Sequence, residues 1–141
     1  MKEFLNQTFE MDKEIKKLEE QLEVLRHRQT SPTGGQLGLA VQKSRNLTAT
    51  EDLTVKIIML EERITRAKGR LLRLEEQIRQ ITLSLPSMQR AVLTWRYICR
   101  YIWADIAARA EMSEMQVMRA HNAALASFQE QKSPNTLRNF A

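Results

Sequence analysis

LPSMQRAVLTWRYICRYIWADIAARAEMSEMQVMRAHNAAL, residues 85–125, is the stretch that decides the fold. Within it Ile106, Ala107, Ala110, Met112, Val117 and Ala120 fall at the offsets of two short helices packed through a tight turn. Such a helix-turn-helix needs small or apolar residues where the helices touch and polar ones where the second faces out, toward the DNA major groove. With Ile106 as the fourth position of the unit, Ala107 takes the fifth, where the helices approach most closely. Ala110 and Met112 take the eighth and tenth, and Val117 and Ala120 the fifteenth and eighteenth. The ninth position usually holds glycine in a left-handed conformation, and here it holds Glu111.

The second helix starts with Ser113-Glu-Met-Gln116, the pattern of a capping box. Ser113, Glu114, Met115, Gln116, Met118, Arg119 and Asn122 are left facing out. That mixture suits base edges: Arg for guanine, Asn or Gln for adenine, Glu for cytosine, Met for a thymine methyl. Arg90, Arg96, Arg100 and Arg109 are the candidates for phosphate contacts, which position a reading head without carrying sequence information.

Upstream, Met11, Ile15, Leu18, Leu22 and Leu25 step by 4, 3, 4, 3, the seam of a coiled coil over about residues 3–28. Thr8 interrupts the seam, which is expected to fray toward the N-terminus. A second seam runs without a miss through Ile57, Leu60, Ile64, Ala67, Leu71, Leu74, Ile78, Ile81 and Leu85. Thr48-Ala-Thr-Glu51 reads as its capping box, giving a helix over 51–85 roughly 50 Å long. Gly69 lies off this seam and is expected to be tolerated. Residues 30–50 hold three of the four glycines and read as a mobile connector. Pro86 ends the long helix. Three short helices should follow over about 86–100, 103–110 and 113–130, then a frayed tail over 131–141.

With 6% aromatic residues and a net charge of +5 over 141 residues, the composition favours helices and is compatible with a polyanion partner. No run of 18 apolar residues exists, which argues against a membrane span, and the N-terminus lacks the apolar core of a secretory signal. A cytoplasmic protein is the expectation. Cys99 is the single cysteine and, among apolar neighbours, reads as a small buried hydrophobe. Trp95, Trp103 and His121 read as packing residues. Two distant histidines, His27 and His121, give no metal-ligand spacing, so no metal or other cofactor is expected. The carboxylate pairs Glu19-Glu20, Glu61-Glu62 and Glu75-Glu76 read as solvated faces with i,i+4 ion pairs. No phosphate loop or nucleophile motif occurs, so no enzymatic activity is expected.

Leu85-Pro86-x-x-Gln89-Arg90-x-Val92-Leu93-x-x-Arg96-Tyr97, with Trp103-Ala-Asp-Ile-Ala107 and Ser113-x-x-x-Val117, resembles region four of bacterial sigma factors. The whole chain, including Phe4-Leu-Asn-Gln and Glu51-Asp-Leu-Thr-Val-Lys-Ile-Ile, is similar to small phage and prophage proteins of Gram-positive bacteria related to the ArpU and RinA late-gene regulators. This resemblance implies a phage transcription regulator with residues 113–122 in the major groove.

The expected fold is all-α: a long antiparallel helical hairpin over 1–85, then a three-helix sigma-like DNA-binding domain over 86–130. The expected partner is double-stranded DNA, bound by a homodimer whose two-fold symmetry matches paired half-sites. The alternative is an interaction protein, its coiled coil docking on RNA polymerase or another regulator, with the helix-turn-helix as scaffold.

Overall fold

The structure is a computed structural model that describes residues 1–30 and 40–131. It is all-helical, with no strand among the described residues. Among the described residues five α-helices follow one another: α1 Lys2–Thr30, α2 Ala40–Thr82, α3 Ser87–Leu93, α4 Trp103–Ala110 and α5 Glu114–Gln131. A π-helical turn, Thr94–Ile98, extends α3. The chain forms two compact units, one of Met11–Arg70 and one of Met1–Glu10 with Leu71–Ala141.

In the Met11–Arg70 unit most seam residues are buried, and Met11, Leu25 and Leu60 are half-buried. Ile15, Leu18 and Leu22 of α1 and Ile57, Ile64 and Ala67 of α2 are each under a tenth exposed. Two cross-helix ion pairs set the relative direction. Arg26 meets Glu61 at 2.9 Å and Lys68 meets Glu19 at 3.1 Å. Moving down seven residues on α1 moves up seven on α2, so the helices run antiparallel here. All four side chains are about half exposed, so each pair adds at most about 1 kcal/mol. Burial of the apolar seam supplies the larger stabilisation.

In the second unit, Leu5, Ile78, Val92, Leu93, Ile106, Val117 and Ala124 are fully buried, and Tyr97 and Phe128 nearly so. Thr8 is fully buried as well, and its hydroxyl donates to the Leu5 carbonyl at 3.0 Å. The expected fraying at Thr8 is therefore not seen: a threonine that returns its hydroxyl to its own helix can stand in a core.

Several boundaries differ from the sequence expectation. Residues 48–51 lie inside α2, so Thr48-Ala-Thr-Glu51 caps nothing. Thr54 Oγ1 donates to the Thr50 carbonyl at 2.9 Å, the bond a threonine makes within a helix. The connector expected over 30–50 is helical from Ala40. Its segment 31–39 and the tail from 132 lie outside the described residues. The helix passes Gly69 without a break and ends at Thr82, three residues before Leu85, which stays buried in the turn.

Two side-chain expectations are also corrected. Glu75 is 7% exposed, and one of its carboxylate oxygens accepts from Arg100 Nη1 at 2.9 Å. It belongs to the interior, unlike its neighbour Glu76. Cys99 is exposed. Seven residues after Val92, it would share the buried face of a regular helix. The π turn inserts a residue: the Cys99 N–H reaches the Thr94 carbonyl at 3.0 Å, and the Trp95 carbonyl passes to the Tyr101 N–H, also at 3.0 Å. The extra residue rotates Cys99 off the core.

Candidate nucleic-acid interface

Helix α4 begins where Ile102 adopts an extended backbone (φ −72°, ψ 157°), and Asp105 places a negative charge in its first turn. Ile106 and Ala107 form a buried cluster with Val92 and Val117, and Trp95, Tyr101, Trp103, Met112 and Ala120 pack against it. Five of the six apolar offsets read from the sequence thus meet in one place, and the sixth, Ala110, is half-buried.

The turn is held from both sides. Glu111 is left-handed (φ 55°, ψ 41°) and ends α4. Its N–H bonds to the Ala108 carbonyl at 3.3 Å, and the next N–H, of Met112, bonds to the Ala107 carbonyl at 3.0 Å. That pairing is a Schellman motif, completed by the apolar Met112 returning to the cluster that contains Ala107. At the start of α5, Gln116 N–H donates to Ser113 Oγ at 3.2 Å, and Ser113 N–H donates to Gln116 Oε1 at 3.0 Å. The capping box is reciprocal and complete.

α5 buries Val117, His121, Ala124 and Phe128. At 100° per residue, Met115, Met118, Arg119 and Asn122 occupy a sector of about 100° on the opposite side. All four are exposed, as are Ser113, Glu114 and Gln116. Arg119 Nη2 lies 3.6 Å from Met115 Sδ, one turn away on the same face. Ser113 and Gln116 each spend one oxygen on the cap, which leaves the Gln116 amide NH₂ free to donate outward. Arg119 and Glu114 cancel in formal charge, and Glu111 adds a negative charge at the turn.

The four arginines read as phosphate contacts are in different situations. Arg109 is exposed and lies over the Tyr101 ring, 4.2 Å from its centroid. Arg90 is half-buried. Arg96 is held inside the unit, its guanidinium 4.8 Å from the Phe9 ring centroid and 4.5 Å from that of Trp103, with Nη1 donating to the Tyr101 carbonyl at 2.9 Å. Arg100 is engaged by Glu75, a pair 23% and 9% exposed.

A pair the sequence did not reveal fixes α5 against the π turn. Tyr97 Oη and His121 Nε2 share a buried hydrogen bond of 2.7 Å, and the Trp103 ring stands edge-on to the imidazole at 4.9 Å. Burial pushes the Tyr97 phenol above its ordinary range, against a weaker pull from the Arg96 cation. Burial also pushes the His121 imidazole below its ordinary range; a hydrogen bond with the Asn122 side chain opposes it, and the Lys2 and Arg96 cations act with it. Both groups are thereby kept neutral. The only sequence signal was a histidine at a position usually apolar in such helices, and nothing local pointed to Tyr97, 24 residues earlier.

Among the described residues no three His, Cys, Asp or Glu side chains converge as a metal site, and no helix is long and apolar enough to cross a membrane. Comparison with protein-family models, curated proteins and solved structures found no match.

Proposed function

We propose that this chain is a sequence-specific DNA-binding regulator of phage or prophage transcription, acting in the bacterial cytoplasm and related to the ArpU and RinA type. In this reading a helical hairpin precedes a sigma region four-like domain, and α5 lies in the major groove. Met115, Met118, Arg119 and Asn122 meet base edges, with Ser113, Glu114 and Gln116 at the first turn. Arg90 and Arg109 take phosphates, while Arg96 and Arg100 build the domain that carries them. The working form is a homodimer. The reading requires no catalysis, cofactor or metal.

One observation carries it. A turn fixed by a Schellman motif and a capping box leaves the outward face of α5 exposed and built on a rigid support, with Arg119 and Asn122 beside Met115 and Met118. Preorganised side chains of these types suit base-edge recognition. Selection from a random pool of duplexes tests it. Wild type should enrich a defined sequence, and Arg119→Ala with Asn122→Ala should abolish the preference. No enrichment at low salt, or enrichment that survives both substitutions, would exclude the reading.

A second reading rests on Val24, Val55, Ile58 and Met59, which are between 49% and 62% exposed on the paired helices. Apolar surface of this kind fits a coiled coil that docks on RNA polymerase or another regulator. A chain that stays monomeric by light scattering at high concentration and fails to bind purified polymerase would exclude it.

A further inference from the structure

Helix α2 carries a second charged feature that the helix-turn-helix does not use. Arg63, Arg66 and Arg70 follow one another at steps of three and four, with Lys56 seven residues ahead of the first, and all four are exposed. At 1.5 Å per residue the three guanidinium groups recur every 4.5–6 Å or so along one face of the helix. Glu51 and Glu61 of the same stretch fall on other faces, while Glu62, four residues before Arg66, borders the basic face. Asp52 likewise stands four residues before Lys56.

Three other cations of this unit are paired. Lys16 pairs with Asp12, Arg26 with Glu61 and Lys68 with Glu19. Among the described residues, no hydrogen bond, ion pair or ring contact engages Arg63, Arg66 or Arg70. Past Leu60, on the same helix, a groove opens that is edged by Lys17 and Arg28 of α1, with Glu20 as its one carboxylate.

Unpaired arginines at regular spacing match a regularly spaced polyanion. The planar guanidinium fork binds phosphate oxygens in a bidentate way that lysine does not reproduce. We infer that the Arg63–Arg66–Arg70 face of α2 binds the phosphodiester backbone of duplex DNA, independently of sequence and separately from α5. Its contribution is electrostatic: each phosphate neutralised releases condensed counterions, so this face sets the salt dependence of binding and α5 sets the sequence preference.

The experiment measures affinity of the full chain for a random-sequence duplex as a function of salt. Each lost phosphate contact lowers the slope of log K against log salt by about 0.9, so R63Q/R66Q/R70Q should be shallower than wild type by about 2.7. A fourfold rise in salt would then weaken wild type about 40-fold more than the variant. R63K/R66K/R70K should restore most of the slope. In the unsubstituted protein, duplex DNA should protect Arg63, Arg66 and Arg70 from phenylglyoxal, a readout that needs no variant to fold.

An unchanged slope in the glutamine variant, or three arginines that stay reactive with DNA bound, overturns the inference whatever α5 does. If the glutamine variant keeps its DNA slope but loses binding to polyglutamate, the occupant is an acidic polypeptide and the inference is likewise wrong. If the slope falls as expected but no duplex is preferred over another, this face stands and base reading by α5 does not.

Discussion

Glu111 is the residue at which the turn should be improvable. It sits at φ 55°, ψ 41°, and among the described residues no hydrogen bond or ion pair engages its exposed side chain. A left-handed conformation costs a residue with a Cβ about 1–2 kcal/mol. Glycine removes that cost but surrenders about 0.5–1 kcal/mol through its freer unfolded chain. Glu111→Gly should therefore stabilise the protein by about 0.5–1 kcal/mol, a rise in Tm of about 2–4 °C for a chain of this size. Glu111→Ala removes the carboxylate and keeps the Cβ, so it should gain nothing. Arg100 supplies the contrast, because it is left-handed too, at φ 59°, but holds the buried Glu75. Removing one partner of a buried pair costs about 3–5 kcal/mol. With partial exposure reducing that figure and about 1 kcal/mol of backbone relief opposing it, Arg100→Gly should still destabilise. Thermal and urea unfolding of the three variants decides the matter. A Glu111→Gly protein no more stable than Glu111→Ala would refute the assignment of strain to this turn.

Three further outcomes follow from the packing of α5. Tyr97→Phe strands His121 Nε2 in the core and should cost about 1–3 kcal/mol, read as a lower urea midpoint at unchanged slope. Because the folded imidazole sits below its usual 6.5, the unfolded chain binds the extra proton first. Stability is then full above that pH and falls as the pH drops below it, and His121→Phe should flatten this part of the stability profile; a profile flat in the wild type contradicts the burial argument. Ser113→Ala removes the hydroxyl bonded to Gln116 N–H and should cost about 1 kcal/mol by thermal unfolding, with Ser113→Asn close to neutral.

Much of the architecture was legible because it depends on local period. The seam through Ile57, Ile64 and Leu71 is buried as its 3,4 step required. Pro86 separates α2 from α3, and Ser113 with Gln116 makes the cap that the S-x-x-Q spacing announced. Glu111 stands out in sequence as the missing glycine, and the backbone is left-handed there all the same. What escaped depends on phase or distance. The π turn carries no signature in Thr94–Ile98, yet it rotates Cys99 outward. Glu75 and Arg100, 25 residues apart, become partners only when the end of α2 and the turn after α3 are brought together. Arg96 looked free for phosphate because a sequence does not show that Phe9 and Trp103 flank it. The exposed face of α5 was readable residue by residue, since the buried positions Val117 and His121 fix the rest of the wheel.

The central claim is that α5 reads bases, and its most direct measurement is a ratio: affinity for the selected duplex over affinity for random duplex, at one salt concentration. A base-reading α5 gives a ratio of about 10³ or more for wild type. Arg119→Ala and Asn122→Ala should each lower it by about 1–3 kcal/mol, roughly 5- to 150-fold, with random-duplex affinity little changed. A wild-type ratio near one, or one that both substitutions leave intact, would contradict the account.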